Sequence, residues 1–223
     1  MTSITHKFIL LVLTSLLLNN ASAQVEQKRF KTITTSEMTP EQKVYFDAMM
    51  SGPVSGTGSA AVIKGATSLG APFNVYLRSP ALAEQLRQLS EQIRFKSSLP
   101  PRLNEFAILI IARHWGSQYE WYAHQRLALK AGLDQKIADQ LAQGQRPLGM
   151  REDEEVIYNF SQELLTTHEV SDANYDAVLK HFGEKGVVDL IGVSGYYVLV
   201  SMILNVDRSP LPPGATSMPK LKN

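Results

Sequence analysis

From Ser79 onward, apolar residues return every third or fourth position with few interruptions, the spacing of helices that turn one face to a core. Ser79-Pro80 opens a helix in which Leu82, Leu86, Leu89 and Ile93 form the apolar stripe, and Leu99-Pro100-Pro101 breaks it. Arg102 to Trp115 is apolar on most sides, with Phe106, Leu109, Ile110 and Ala112, and predicts a buried helix. Gly116 permits a change of direction, Ser117 to Ala131 forms the next helix, and Gly132 stops it. Helices follow over Asp134 to Leu141, Arg151 to Thr167 and Ser171 to Phe182, the last ending at Gly183. The final element, Val187 to Val206, is apolar and carries Gly192, Ser194 and Gly195, small residues that permit close helix contact. No strand pattern of any length competes, so the expected fold class is all-α.

The segment before Ser79 is less regular. Gln24 to Ser36 is polar and reads as a loose leader. Thr39-Pro40-Glu41 is a helix start, with threonine as cap and proline in the first turn, and the helix runs to about Met50 with Val44, Phe46, Met49 and Met50 as its apolar side. Ser51-Gly-Pro-Val-Ser-Gly-Thr-Gly-Ser-Ala60 is a glycine-rich connector. It leads into Ala61-Val-Ile without the lysine of a phosphate loop, so a loop bordering a pocket is the better expectation.

The extreme N-terminus has the form of a secretory signal. Lys7 is the positive flank, Phe8 to Leu18 the apolar run, and Ala21-Ser22-Ala23 a small-residue cleavage site. The expected location is therefore exported, periplasmic or secreted, with an uncleaved anchor as the alternative. No later segment is expected to be long enough to span a membrane. The chain has 22 Lys and Arg against 21 Asp and Glu, and removing residues 1–23 takes Lys7 and no acid, leaving 21 against 21. That balance predicts neither nucleic acid nor, after cleavage, membrane as a partner. There are no cysteines among the 223 residues, so stability must come from packing, metal or assembly in a compartment that tolerates disulfides.

Candidate chemistry is concentrated in one stretch. Ser117, Glu120 and His124 share a helix face, and Glu105 lies twelve residues before Ser117. A carboxylate and an imidazole on one face are the minimal kit for moving a proton near neutral pH.

Arg102-Leu-Asn-Glu105-Phe-Ala-Ile-Leu-Ile-Ile-Ala-Arg113-His-Trp-Gly-Ser117-Gln-Tyr-Glu120-Trp-Tyr-Ala-His124 resembles the signature helix pair of the carboxymuconolactone decarboxylase family, whose thiol branch is alkyl hydroperoxidase D. In that branch a glutamate precedes a Cys-x-x-Cys-x-x-x-His run. Glu105 matches the glutamate and His124 the histidine, while Ser117 and Glu120 stand at the cysteine positions. The resemblance runs from about Pro72 to Pro213, through Pro72-Phe-Asn-Val-Tyr-Leu-Arg-Ser-Pro80 and Asn205-Val-Asp-Arg-Ser-Pro-Leu-Pro-Pro213. Together with the N-terminal signal, it gives an expected division into a signal peptide (1–23), a leader with helix and glycine-rich loop (24–71), a family-like helical domain (72–213) and a tail (214–223). It implies a helical bundle assembled as a homo-oligomer, a trimer or hexamer. Neither a hydroxyl nor a carboxylate replaces a redox thiol, so thiol peroxidase chemistry is not expected.

Three readings of the cluster stand side by side. As an acid–base site, Glu105 is the buried proton relay, His124 the general acid/base, and Glu120 orients the imidazole or binds substrate. Ser117 then lends a hydrogen bond, and Arg113 and His114 hold an anionic group of a small carbonyl or carboxylate substrate. No cofactor is called for. As a metal site, Glu120 and His124 are half of a carboxylate-bridged centre with His114 as a third ligand, but no second Glu/His pair has the spacing, and His168 and His181 sit in other helices. As a structural pair, the glutamates and histidine satisfy core polarity with Arg113 or Arg126, in a non-catalytic binding or assembly module. Trp115, Tyr119, Trp121 and Tyr122 are packing residues of which one or two wall the pocket, and Tyr196 and Tyr197 would reach it across a subunit interface.

Overall fold

The structure is a computed structural model and describes residues 27–221. The signal-peptide segment lies outside the described residues. Among the described residues there are eight α-helices: α1 (Pro40–Ser51), α2 (Phe73–Tyr76), α3 (Pro80–Phe95), α4 (Pro101–His114), α5 (Gln118–Lys130), α6 (Gln135–Ala142), α7 (Glu152–Thr167) and α8 (Asp172–Asp207). A 3₁₀ turn, Pro53–Thr57, follows α1, and no strand occurs among the described residues.

Helix α4 is the axis of the bundle. It packs against α5, α6, α7 and α8, and Leu103 and every residue from Phe106 to Ala112 are fully buried. Burying each of its large side chains stabilises the fold by about 1.5–3 kcal/mol, which holds the neighbouring helices at fixed distances from it. Its ends are set by Pro101 in the first turn and by Gly116, whose φ of 59° favours a residue without Cβ and reverses the chain into α5. Helix α3 packs on α8 and α1, outside the α4–α5 pair.

Several expectations are corrected by tertiary contacts that local spacing does not encode. In α3 the buried stripe is Ala83, Leu86, Ser90 and Ile93, whereas Leu82 and Leu89 are exposed. In α1 the capping box of Thr39 and Gln42 forms, but Val44 points outward and Tyr45 is buried instead. The stretch expected as a loose leader is tied down where it is described. Arg29 and Phe30 donate their amides to Asp207 O and Oδ1 (2.8 and 3.0 Å), and Ile33 exchanges two hydrogen bonds with the Asn74 side chain (3.0 and 2.9 Å). The two final helices run as one element, α8, broken at Gly183 (φ 66°, ψ 178°). Contrary to expectation, α8 is long and apolar enough to cross a membrane by length and composition, with half of its most apolar stretch buried in the bundle.

The C-terminal segment folds back over the α4–α5 corner. The Gln118 side chain holds the Met218 backbone through both its amide nitrogen and its oxygen (3.1 and 2.8 Å), and Met218 itself is buried.

Candidate active site

His124 lies on α5, Glu120 one turn before it, and Glu105 on the facing side of α4. The tight α4–α5 packing brings them together. His124 Nδ1 is 2.6 Å from Glu105 Oε2, a hydrogen bond, and His124 Nε2 is 3.2 Å from Glu120 Oε1. The second contact is close enough for ion pairing but misaligned with the ring nitrogen, and Glu120 Oε1 has no hydrogen-bond partner. The imidazole is thus held firmly on one nitrogen and left uncommitted on the other.

Burial pushes the Glu120 carboxyl above the usual carboxylate range. His124 and Arg94 pull it down and Glu105 pushes it further up, with burial the largest of these effects. Ser117, the third member of the expected face, is fully buried, caps no amide through its hydroxyl and has an unpartnered Oγ.

Glu120 and His124 form part of the wall of a half-open pocket with about 50 Å³ of water-accessible space. That is room for roughly three to five waters, hence for a small molecule entering from the open side. Ser90 and Arg94 of α3 face the pocket four residues apart, Tyr196 and Tyr197 enter from α8, and Thr57, Ser59 and Ala61 close one rim. The glycine-rich connector therefore borders the pocket. Arg126 of α5 holds it, donating Nη2 to Gly58 O (2.9 Å) and Nη1 to Thr57 O (3.4 Å). At the other end of this rim Gly70 donates its amide to Ala61 O (2.8 Å), and a Cβ there would stand 2.7 Å from the Ala61 Cα, so only glycine allows this approach.

The tyrosines reach the pocket within the same chain, which corrects the expectation of a contact across an interface. The Tyr197 ring meets His124 edge-on (centroids 4.9 Å apart, 79° between planes) and packs against Tyr196 at 5.2 Å. Burial raises both phenols, so they stay protonated as hydroxyl donors.

Arg113 and His114 are not brought to the cluster. Arg113 Nη1 donates to Ala142 O and Pro219 O (2.8 and 2.6 Å), and His114 is exposed beside it at a separate surface depression. Arg113 and Arg126 both bond to carbonyls, so neither is the partner of the glutamates. Among the described residues no group of three or more acidic or histidine side chains is arranged to hold a metal ion. The residue that sequence reasoning missed is Arg94. Its signal was the Ala83–Leu86–Ser90–Ile93 stripe, which places Arg94 one turn past Ser90 on the inner side of α3.

No protein-family model matches the chain, and no curated protein matches it. Solved structures do share its fold. An uncharacterized peroxidase-related protein from Silicibacter sp. TM1040 superposes with a TM-score of 0.66 at 12% identity, covering 84% of this chain and 93% of that one. The debrominase Bmp8, as a cysteine-to-alanine variant in complex with 2,3,4-tribromopyrrole, gives 0.64 at 12% identity, with 84% and 95% covered. A protein of unknown function from Agrobacterium tumefaciens, for which an AhpD-type antioxidant defence role has been suggested, gives 0.56 at 16% identity, with 62% and 96% covered. The likeness is one of fold: the chain has the AhpD-like all-helical architecture and no cysteine.

Proposed function

We propose that this protein is an exported enzyme that moves a proton on a small carbonyl- or carboxylate-bearing molecule, in the manner of a decarboxylase or isomerase. The observation that carries the reading is the placement of His124 between Glu105 and Glu120 at a pocket wall. With Nδ1–H donated to Glu105, the Nε2 lone pair is free to take a proton from the carbon beside a substrate carbonyl. The electron pair moves onto the carbonyl oxygen, and the imidazolium formed is stabilised by the Glu105 carboxylate at 2.6 Å. Glu120, which burial keeps protonated to higher pH than an exposed glutamate, delivers the compensating proton to the enolate oxygen or carbon. The Tyr196 and Tyr197 hydroxyls are further donors to the developing oxyanion.

The fold relationship supports a small ligand, since the debrominase on the same architecture was captured with a tribrominated pyrrole. It does not bring thiol chemistry, because this sequence has no cysteine to supply the nucleophile. The signal-like N-terminus supports export. Assembly as a homo-oligomer, a trimer or hexamer, is supported by α8: Val188, Ile191, Gly195, Met202 and Val206 are exposed at three-, four- and seven-residue intervals, a seam of the kind that packs against a second helix.

The test is proton exchange. The mature protein is incubated in D₂O with small ketones, oxo acids and lactones, and deuterium entry at carbon is followed by NMR. Exchange that disappears in His124→Gln supports the reading. Exchange with none of these compounds, or equal exchange in the variant, contradicts it.

A further inference from the structure

Arg94 is out of keeping with the other inward-facing arginines. Arg87 is paired with Glu84 and Glu91, Arg102 with Asp153 and Glu154, and Arg113 holds two carbonyls. Arg94 has no ion pair within 4.0 Å among the described residues, and its buried Nε has no hydrogen-bond acceptor; the Arg113 Nε is unpartnered too, but Arg113 is held through Nη1. The Phe95 ring lies 5.2 Å from its guanidinium carbon. Burial works against its charge and Glu105 and Glu120 favour it only through their fields, Glu105 being already hydrogen-bonded to His124.

A half-buried cation whose charge is balanced only by fields, with no bonded partner, is incompletely satisfied in a finished core. It is the expected state of a cation whose partner arrives with a ligand. Arg94 lines the same pocket as His124, with the hydroxyl-bearing Ser90, Tyr196 and Tyr197 around it. The planar guanidinium fork matches a carboxylate in two parallel hydrogen bonds. The limited size of the pocket restricts the ligand to a small acid. We infer that Arg94 is the anchor for the carboxylate of a small organic acid, seated so that the carbon chain extends across the pocket toward His124 Nε2. This rests on the reading of the pocket as the reaction site. It is tested by binding alone, so that the two can fail separately.

The full mature chain is titrated calorimetrically with acetate, pyruvate and benzoate, and with acetamide, pyruvamide and benzamide as neutral isosteres. At least one carboxylate should bind about tenfold or more tightly than its amide, the size of effect a charge-assisted hydrogen bond supplies. Arg94→Gln should lose about tenfold or more of that affinity and Arg94→Lys a smaller part, with folding checked by circular dichroism. The ¹⁵Nε signal of Arg94 should shift on titration of the unaltered protein, which keeps the test decisive where a variant misfolds. The inference is overturned when no carboxylate binds, when carboxylates and amides bind alike, or when folded Arg94→Gln binds as the parent does.

Discussion

Tyr197 sets its ring edge-on against the imidazole of His124, with centroids 4.9 Å apart, while Glu105 fixes Nδ1 of the same imidazole from α4. The ring is thereby located by two helices besides its own, and its orientation does not depend on a ligand. Preorganisation of this kind lets a proton acceptor work without reorganising in the transition state.

Tyr197→Phe keeps the edge contact and removes the hydroxyl. It should leave the melting temperature nearly unchanged and slow proton exchange only as far as the hydroxyl assists the oxyanion. Tyr197→Ala empties a buried site and should cost about 3–5 kcal/mol in denaturant unfolding. Similar stabilities for the two variants would show that the ring does not pack as described.

Glu120 gives a pH signature. Its folded-state pKa is raised by burial, so its contribution favours the folded state below the ordinary glutamate value of 4.5 and is lost as pH rises through the raised value. The parent should lose stability over that interval while Glu120→Gln, neutral throughout, follows a flatter profile and is the more stable of the two on the alkaline side. Thermal unfolding from pH 4 to 9 on both proteins checks this, and parallel profiles would refute the assigned burial effect.

Glu105→Gln replaces a charge-assisted hydrogen bond by a neutral one at a position whose side chain is 13% exposed. The expected loss is about 1–2 kcal/mol of stability, with a much larger proportional loss of proton exchange because the imidazolium is no longer stabilised. A purely structural Glu105–His124 pair would show the stability loss without any exchange to lose.

Arg126→Ala removes the side chain that holds the 57–58 backbone over the pocket rim. These are exposed hydrogen bonds, so global stability should change by about 0.5 kcal/mol or less. Amide hydrogen exchange should accelerate at residues 57–61 and not in α4. Unchanged protection in the loop would mean that other contacts hold it.

The helical class, most helix boundaries and the Glu120–His124 face were legible because each rests on local rules: periodicity, Pro and Gly punctuation, and helix-face spacing; Glu105, on another helix, was joined to that face only by the family resemblance. What stayed hidden depends on which of two similar faces meets the core. Leu82 and Leu89 look as fit for burial as Ala83 and Ser90, yet the second pair faces inward. Arg94 was missed for the same reason, and Arg113 was misread because its partners, the carbonyls of Ala142 and Pro219, come from distant chain. The pinned leader at Arg29 to Ile33 owes its order to Asp207 and Asn74, which no reading of the leader itself reveals.

The most direct test of the central claim is a double-variant cycle on Glu105→Gln and His124→Gln, reading deuterium exchange into substrate and unfolding free energy from the same preparations. Groups that act as one unit in catalysis give non-additive rate losses. The account predicts that each single variant nearly abolishes exchange and that the double variant is no slower than either, while all three remain folded. Losses that multiply independently, or exchange that survives in His124→Gln, would contradict it.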